Sequence, residues 1–177
     1  MRFHGVTPRE PWAYSRYAVS VYKFYAWLRE NLLKYSVHTA EEAHKTGIPM
    51  MRPLPMVFPE DKEAVYWEDE YFYGSDLLVA PVHQEGEKRR IYFPSGSWIN
   101  LLDFRKMVGG NRIFQVDVPI DKIPVYIREG ACILSVMNGE LQLGQSMTYE
   151  KKNTVLMSRA LNETSGKRYA DGKKIEY

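Results

Sequence analysis

The longest uninterrupted signal in this chain is the stretch from Arg16 to Thr46, which contains neither proline nor glycine. Its apolar residues recur at spacings of three, four and seven, which is typical of one face of an amphipathic helix. The residues that carry this spacing include Val21, Tyr25, Leu28 and Leu32. Gly47 is suited to end the helix in the left-handed conformation, and Pro49 prevents its continuation. A long amphipathic helix is therefore predicted here.

From Leu77 onward the chain consists of short runs rich in β-branched and aromatic residues, separated by turn residues such as Pro94-Ser95-Gly96-Ser97. The runs are 77–82, 90–93, 114–118 and 125–127. Strands of this length and spacing are typical of an antiparallel sandwich. The alternation in 114–118 predicts one buried face. Residues 141–177 are predicted to form a partial second sheet, with too few strands to close a sandwich of their own.

Composition excludes several functional classes. The chain is 45% hydrophobic and 26% charged, with a net charge of +2, and no apolar run approaches the roughly 20 residues of a membrane helix. Acidic and basic residues are interspersed, so a nucleic-acid or membrane partner is not expected. The single cysteine, Cys132, excludes an intrachain disulfide and is expected to be a small buried hydrophobic residue. With no secretion signal in residues 1–15, a cytoplasmic location is expected.

Several motifs stand in order along the chain, and together they are specific. They are Arg2-Phe3-His4-Gly5, Arg9-Glu10-Pro11-Trp12, the segment 47–61, the segment 69–82 and the segment 123–131. In this order they resemble the end of the catalytic region in glycoside hydrolase family 31. That family contains α-glucosidases, α-xylosidases and related transglycosidases. The resemblance fades after about Leu134.

The resemblance implies an α+β fragment. Residues 1–80 would be the C-terminal end of a (β/α)8 TIM barrel, with segment 49–58 as its last strand and 69–78 as a connecting helix or turn. Residues 81–136 would form a proximal antiparallel β-sandwich domain, and residues 137–177 a partial distal β domain. The family's helix usually carries a proline where this chain has Lys34, so a more regular helix is expected.

The implied activity is hydrolysis or transfer of α-linked glucose or xylose with retention of configuration, which needs two carboxyl groups about 5–5.5 Å apart. Both are expected upstream, because Gly74-Ser75-Asp76 and Ala170-Asp171-Gly172 only superficially resemble the family's motifs. No catalytic residue is therefore expected in this chain. By resemblance, His4 would hydrogen-bond sugar hydroxyls, since imidazole carries a donor and an acceptor nitrogen. Arg2 completes the predicted substrate-binding residues by orienting that loop.

Other polar and aromatic residues are expected to be structural. Arg52 is predicted to form an ion pair, and Trp98 to anchor the sandwich as part of the family's Pro-x-Gly-x-Trp hairpin. Trp12 is expected to pack in a core or an interface. Capping or pairing is predicted for the acids Asp69, Glu70 and Asp76. The histidines His38, His44 and His83 have no metal-ligand spacing, so neither metal nor cofactor is expected.

Two other functional readings stay open. One is a noncatalytic β-sandwich module for carbohydrate binding or assembly, which would need a solvent-exposed aromatic platform. The other is half of a split glycosidase, in which a separate upstream chain supplies the barrel and its carboxylates. If residues 1–80 are the end of a barrel, the isolated chain would expose apolar faces that the rest of the barrel covers. It is then expected to aggregate or to need a partner.

Overall fold

The computed structural model describes residues 6–84, 86, 88–102, 107–137, 143–146, 153–158, 167–170 and 173–176. The helices are α1 (Pro11–Tyr14), α2 (Arg16–Asn31), α3 (Leu33–Thr46) and α4 (Leu54–Val57), with a 3-10 turn at Ala64–Tyr66. The strands are β1 (Met51–Pro53), β2 (Tyr71–Tyr73), β3 (Leu77–Val79), β4 (Lys88–Phe93), β5 (Ser97–Asn100), β6 (Met107–Gly109), β7 (Arg112–Asp117), β8 (Val125–Arg128), β9 (Cys132–Met137), β10 (Asn153–Ser158), β11 (Lys167–Ala170) and β12 (Lys173–Glu176).

The helical region begins and ends where sequence patterns indicate. The Ser15 hydroxyl accepts a hydrogen bond from the Ala18 N–H at 3.0 Å and caps α2, because the first N–H groups of a helix have no partner within it. At the other end Gly47 adopts φ 76°, and its N–H donates to the Ala43 carbonyl. The predicted stop at Gly47 is confirmed.

A regular helix through residue 34 is wrong, because α2 and α3 meet at a break at Leu32, with φ −89° and ψ 9°. Residues far away in sequence contact the chain at this break. The Ser135 hydroxyl donates to the Asn31 carbonyl at 2.9 Å, and the Asn31 side-chain amide donates to the Val136 carbonyl at 2.7 Å. These bonds from β9 engage the backbone and side chain of the last residue of α2, where the helix ends.

Strands join into three sheets, and every pairing among the described residues is antiparallel. The largest sheet has the order β1-β2-β3-β8-β5-β6, a second has the order β12-β11-β10-β9, and β4 pairs with β7. The predicted antiparallel character and the further sheet in the last third of the chain are thus confirmed. The predicted division after residue 80 falls between β3 and β4, and the largest sheet contains strands from both sides of it. Which parts fold as separate units stays a prediction.

Three local expectations are wrong. Segment 49–58 is a strand only at β1, which pairs antiparallel with β2, because residues 54–57 form α4. Segment 69–78 is neither a helix nor a simple turn, because β2 and β3 form a hairpin around Gly74 at φ 67°. A side chain at Gly74 would meet the Tyr35 hydroxyl, so the hairpin sits directly on α3. The aromatic run of β2 thus forms a strand, in keeping with the β propensity of its residues.

The turn 94–97 is not a hairpin, because it carries the chain from the β4–β7 sheet to β5 in the largest sheet.

The largest sheet is covered on both faces. Successive residues of a strand point to opposite faces, so adjacent buried residues serve different cores. The helix-side core contains Leu28, Leu32, Tyr35, Leu77, Ile99, Leu101, Ile127 and Ile133. The sheet-side core contains Leu54, Ala64, Phe72, Leu78, Ala80, Ile91, Tyr92, Phe93, Trp98 and Tyr126. The first core joins α2 and α3 to the sheet, and the second joins the β4–β7 sheet to it, which makes the sandwich.

Cys132 is exposed, so the expectation of a buried cysteine is wrong. Its strand neighbours Ile133 and Ser135 are fully buried. Alternation along β9 explains the difference, because it directs Ile133 inward and Cys132 to the opposite side. The alternation predicted in 114–118 is confirmed, since Phe114 and Val116 are partly buried while Gln115 and Asp117 are exposed.

Candidate functional site

His4 and Arg2 lie outside the described residues, so their contact with substrate stays a prediction. The described chain begins at Val6 and runs through exposed residues to α1. Trp12, on α1, is 71% exposed, so the packing expected for it is not made within this part of the chain. The segment that leads from His4 is therefore attached to the rest of the molecule through α1 and α2.

An apolar groove of about 590 Å³ runs beside the start of α2. Its walls include Tyr17 and Val21 on α2 and Ile120 in the loop between β7 and β8. The Tyr25 hydroxyl donates to the Asp121 carbonyl at 3.2 Å and accepts from the Ile123 N–H at 2.7 Å. Burial raises the pKa of Tyr25, which keeps its proton available as a donor. Tyr25 thus fixes the loop against the helix that carries the N-terminal segment.

The structural role predicted for Arg52 is confirmed. Its guanidinium is 6% exposed and lies 2.7 Å from the Glu42 carboxylate, and its Nε donates to the Pro49 carbonyl at 2.9 Å. Glu42 lies on α3 and Arg52 on β1. The ion pair therefore joins β1, the edge strand of the largest sheet, to α3. The Arg52 guanidinium is engaged by these protein groups.

The predicted anchoring role of Trp98 is also confirmed, because its side chain is 0% exposed and its indole N–H donates to the Pro94 carbonyl at 2.9 Å. A residue that sequence reasoning missed lies beside it. The Arg128 guanidinium carbon is 4.9 Å from the ring centre of Phe58, 5.6 Å from Trp98 and 6.0 Å from Phe72. Aromatic faces attract a cation at such distances. The strand pairing of Trp98 with Arg128 across β5 and β8 creates this contact.

Asp69 and Glu70 pair as predicted, but with an arginine that the sequence pattern assigned to solvated charge. Arg89 is buried, and its Nη2 lies 2.9 Å from Asp69 Oδ2 and 3.7 Å from Glu70 Oε1. It also donates to the Pro81 and Arg90 carbonyls. The alternation along β4 could have predicted the burial of Arg89, because Arg89 shares a face with the buried Ile91 and Phe93.

Glu70 is the most perturbed carboxyl group among the described residues. Its side chain is fully buried, and it accepts a hydrogen bond from the Tyr92 N–H at 3.0 Å. Burial raises the pKa of Glu70 to about 8, although the Tyr92 N–H and the Arg89 charge favour the ionised form. Such a group is a candidate for function wherever it reaches a cleft. Here it faces the core between the two sheets, which indicates a structural group.

A polar cleft lies on the outer side of the β4–β7 sheet, beside Trp67. It consists of two adjoining cavities of about 380 and 460 Å³ that share Trp67, Asp69 and Arg90. Volumes of this size are typical of small-molecule sites. Neither Trp67 nor its exposed neighbour Tyr66 stood out in the sequence, because nothing there shows that residues 63–69 fold over β4.

In the part of the chain that the structure describes, no cluster of three or more potential metal ligands occurs. No helix in those residues is long and apolar enough to cross a bilayer. Asp76 lies in the β2–β3 turn, where its carboxylate accepts from the Ser75 hydroxyl at 3.1 Å. Asp171 lies outside the described residues.

The sequence profile of the glycosyl hydrolase family 31 C-terminal domain matches residues 47–133. An α-glucosidase 2 from Bacillus thermoamyloliquefaciens is 32% identical over 130 residues, which is 73% of this chain and 16% of the relative. An α-xylosidase from Saccharolobus solfataricus is 33% identical over 136 residues, 75% of this chain and 18% of the relative. The chain thus spans less than a fifth of the length of these relatives.

Solved structures give the same result. A cycloalternan-forming enzyme from Listeria monocytogenes, in complex with a pentasaccharide substrate, superposes with a TM-score of 0.76 at 25% sequence identity. The alignment covers 91% of this chain and 18% of that enzyme. Together with the fold and the sequence profile, these matches place the chain in glycoside hydrolase family 31, whose C-terminal domain it carries.

Proposed function

We propose that this chain is the C-terminal portion of a retaining α-glycosidase that hydrolyses or transfers α-linked glucose or xylose. The nucleophile and the acid/base belong to the part of the barrel upstream of this chain, whose residues 1–80 supply the barrel's C-terminal end. The names of the relatives support the substrate class, since they include an α-glucosidase, an α-xylosidase and an isomaltosyltransferase. Family 31 membership is the observation that carries this proposal.

The role of the chain in such an enzyme is to hold the segment that contains His4. The helix pair is locked to the β domain by the helix-side core and by Asn31, whose side-chain oxygen also accepts from the Gly144 N–H at 2.8 Å. Tyr25 fixes the β7–β8 loop to the same helix. A segment attached to a well-packed helix keeps its position, which substrate orientation requires.

The partner of this portion is the barrel, either on the same polypeptide or on a separate upstream chain. Exposed apolar residues cluster around the start of α2 and the neighbouring loop. They are Val6, Trp12, Tyr14, Tyr17 and Ile120. Tyr17 and Ile120 line the same groove, and exposed apolar surface at a groove often marks an interaction site. The apolar groove beside α2 is the surface that the barrel would cover, and the isolated chain is expected to aggregate without it.

A chimera tests this role. This chain replaces the matching C-terminal portion of the α-xylosidase relative, and hydrolysis of p-nitrophenyl α-xyloside and α-glucoside is measured. We expect an active chimera, and His4→Ala should lower kcat/KM by about 10–100-fold, because a hydrogen bond to substrate is lost. The exposed His44 on α3 offers the matched control, His44→Ala, which should leave kcat/KM unchanged.

Two results would contradict the proposal. A folded, monodisperse chimera without activity would show that this chain cannot complete a family 31 barrel. Activity of the chain by itself, without the upstream barrel portion, would show that the catalytic carboxylates lie within this chain. Equal activity of His4→Ala and His44→Ala would show that His4 does not contact the substrate.

A further inference from the structure

The polar cleft beside Trp67 has a well-defined floor. Arg90 pairs with Gln115, and Tyr92 with Ile113, across β4 and β7. Residues directly opposite each other in an antiparallel pair point to the same side of the sheet, and so do residues two apart on one strand. These four side chains therefore share one face of the sheet. Gln115 lines the first cavity, Ile113 lines the second, and Arg90 lines both.

Trp67 lies across this floor as an aromatic wall between the two cavities. Its ring stacks on Tyr92, with ring centres 5.7 Å apart and planes inclined by 16°, and the Arg90 guanidinium carbon is 5.7 Å from the ring centre. The indole N–H donates to Glu63 Oε1 at 3.3 Å. Tyr66, beside it, is 76% exposed. Two adjacent aromatic side chains thus border a cavity lined mainly by polar groups.

Arg89 holds the walls of the cleft in place from beneath. Its guanidinium donates to the Asp69 carbonyl at 3.3 Å on the Trp67 side and to the Pro81 carbonyl at 3.1 Å on the opposite side. Asp69 also lies 3.2 Å from His83 Nε2, a residue of that opposite wall. The cleft is therefore organised before any ligand arrives, which lowers the entropic cost of binding.

The charges around the cleft are balanced. The Arg89 charge is matched by Asp69 at 2.9 Å, while the raised pKa of Glu70 leaves that carboxyl mostly neutral. Of the remaining charged groups that line the two cavities, Lys88 and Arg90 are cationic, while Glu63 and Glu68 are anionic. A phosphate or sulfate site would show an excess of cations. The balanced set instead offers both donors and acceptors around an aromatic face, which suits a neutral polyhydroxylated ligand.

We infer that the cleft formed by Tyr66, Trp67, Arg90 and Gln115 binds a neutral oligosaccharide. The apolar side of a sugar ring packs on the Trp67–Tyr66 edge, and its hydroxyl groups bond to Arg90, Gln115 and Glu68. This binding is noncatalytic and uses only residues of the β domain and the preceding 3-10 segment. It does not depend on the parent enzyme's activity.

Affinity electrophoresis tests this inference on the monodisperse fraction of the purified chain, separated from aggregate by gel filtration. The native gels contain starch or dextran and, as a charged comparison, dextran sulfate. We expect retardation by a neutral glucan. Trp67→Ala and Tyr66→Ala should weaken binding about tenfold or more, because each removes on the order of 60 Å² of apolar contact. Arg90→Ala should weaken it less. Trp12→Ala is the control, because it removes an exposed indole that lines neither cavity and should bind as the unaltered chain does.

Trp67 also packs on Tyr92, so its variant is first compared with the unaltered chain by urea unfolding. Tyr66 and Arg90 are exposed, so their variants should retain the fold and keep the test valid. No retardation by either neutral glucan would overturn the inference. Retardation by dextran sulfate alone would do the same and would indicate an anion site. Binding that Trp12→Ala abolishes and Tyr66→Ala does not would assign it to the other end of the molecule.

Discussion

The two faces of the largest sheet are packed by different chemistry. On the helix side, the core is mostly aliphatic, and a buried asparagine and serine join α2 to β9 by hydrogen bonds. On the sheet side, the core is rich in aromatic rings, with Arg128 against three of them and the Arg89–Glu70 contact at its edge. The side chains of β5 show the contrast in two neighbours, since Trp98 belongs to one core and Ile99 to the other.

The difference shows that each face does a separate task. The helix-side core adds directional hydrogen bonds between the C-terminal end of α2 and β9. The sheet-side core depends on large ring contacts, which contribute more burial per residue but less directional information. Substitutions in the two cores should therefore differ in size and in how far their effects spread.

Trp98→Ala should produce the largest effect. It removes a fully buried indole, its ring contacts with Phe58 and Phe72 and its bond to Pro94, so we expect the free energy of unfolding to fall by about 3–5 kcal/mol. Urea unfolding followed by circular dichroism measures this. Ile99→Ala, one residue along on the opposite face, is the comparison and should cost less. An equal or greater loss from Ile99→Ala would reverse the ranking of the two cores.

Asn31→Ala should cost about 2 kcal/mol, because the part-buried Val136 carbonyl and the buried Gly144 N–H lose their partner. The loss should be local to the helix side. Hydrogen exchange should therefore accelerate in β9 more than in the β4–β7 sheet. Ser20→Ala, on an exposed turn of the same helix, should change stability by less than about 0.5 kcal/mol. Uniform acceleration across both sheets would contradict separate roles for the two faces.

Glu70→Gln should make stability less dependent on pH. The pKa of Glu70 is about 8 in the folded chain, above its ordinary value of 4.5, so between these values the folded state binds a proton that the unfolded state has lost. Stability from this group is present below about pH 4.5 and is lost as the pH rises through 8. Glutamine keeps an acceptor for the Tyr92 N–H and cannot ionise.

The measurement is the unfolding free energy at several pH values from 5 to 9. Relative to Glu70→Gln, the unaltered chain should lose stability steadily across this interval. Glu68→Gln is the control, because it makes the same substitution at an exposed position nearby. A difference that grows toward acid pH would mean that Glu70 is ionised in the fold and that Arg89 outweighs burial.

Trp12→Ala should have the smallest effect on this chain, within about 0.5 kcal/mol, because the indole is largely exposed and belongs to neither core. The same substitution in the active chimera should cost stability or activity if the barrel covers that surface. Urea unfolding of the isolated chain and of the chimera, each with and without Trp12→Ala, measures the two changes in unfolding free energy. A large loss in the isolated chain would show that α1 belongs to a core after all.

Much of the architecture could be predicted because it depends on local pattern. Gly47 ends the helix where the apolar period stops, and the β-branched runs become strands. The resemblance also led to the correct family. Positions decided by distant contacts could not be found in this way: the break at Leu32 depends on β9, about a hundred residues later. The burial of Arg89 likewise requires Asp69, Glu70 and Pro81 to meet around one strand.

The amino-acid sequence by itself determined the family, the helical first third, the antiparallel character of the rest and the anchoring role of Trp98. These follow from periodicity, turn chemistry and motifs, which act over a few residues. Only the tertiary structure decided that strands from both sides of residue 80 share a sheet, that Cys132 is exposed and that Trp67 lies over β4 beside a cleft. Those features depend on which face of each strand meets a neighbour, and a linear pattern does not specify the neighbour.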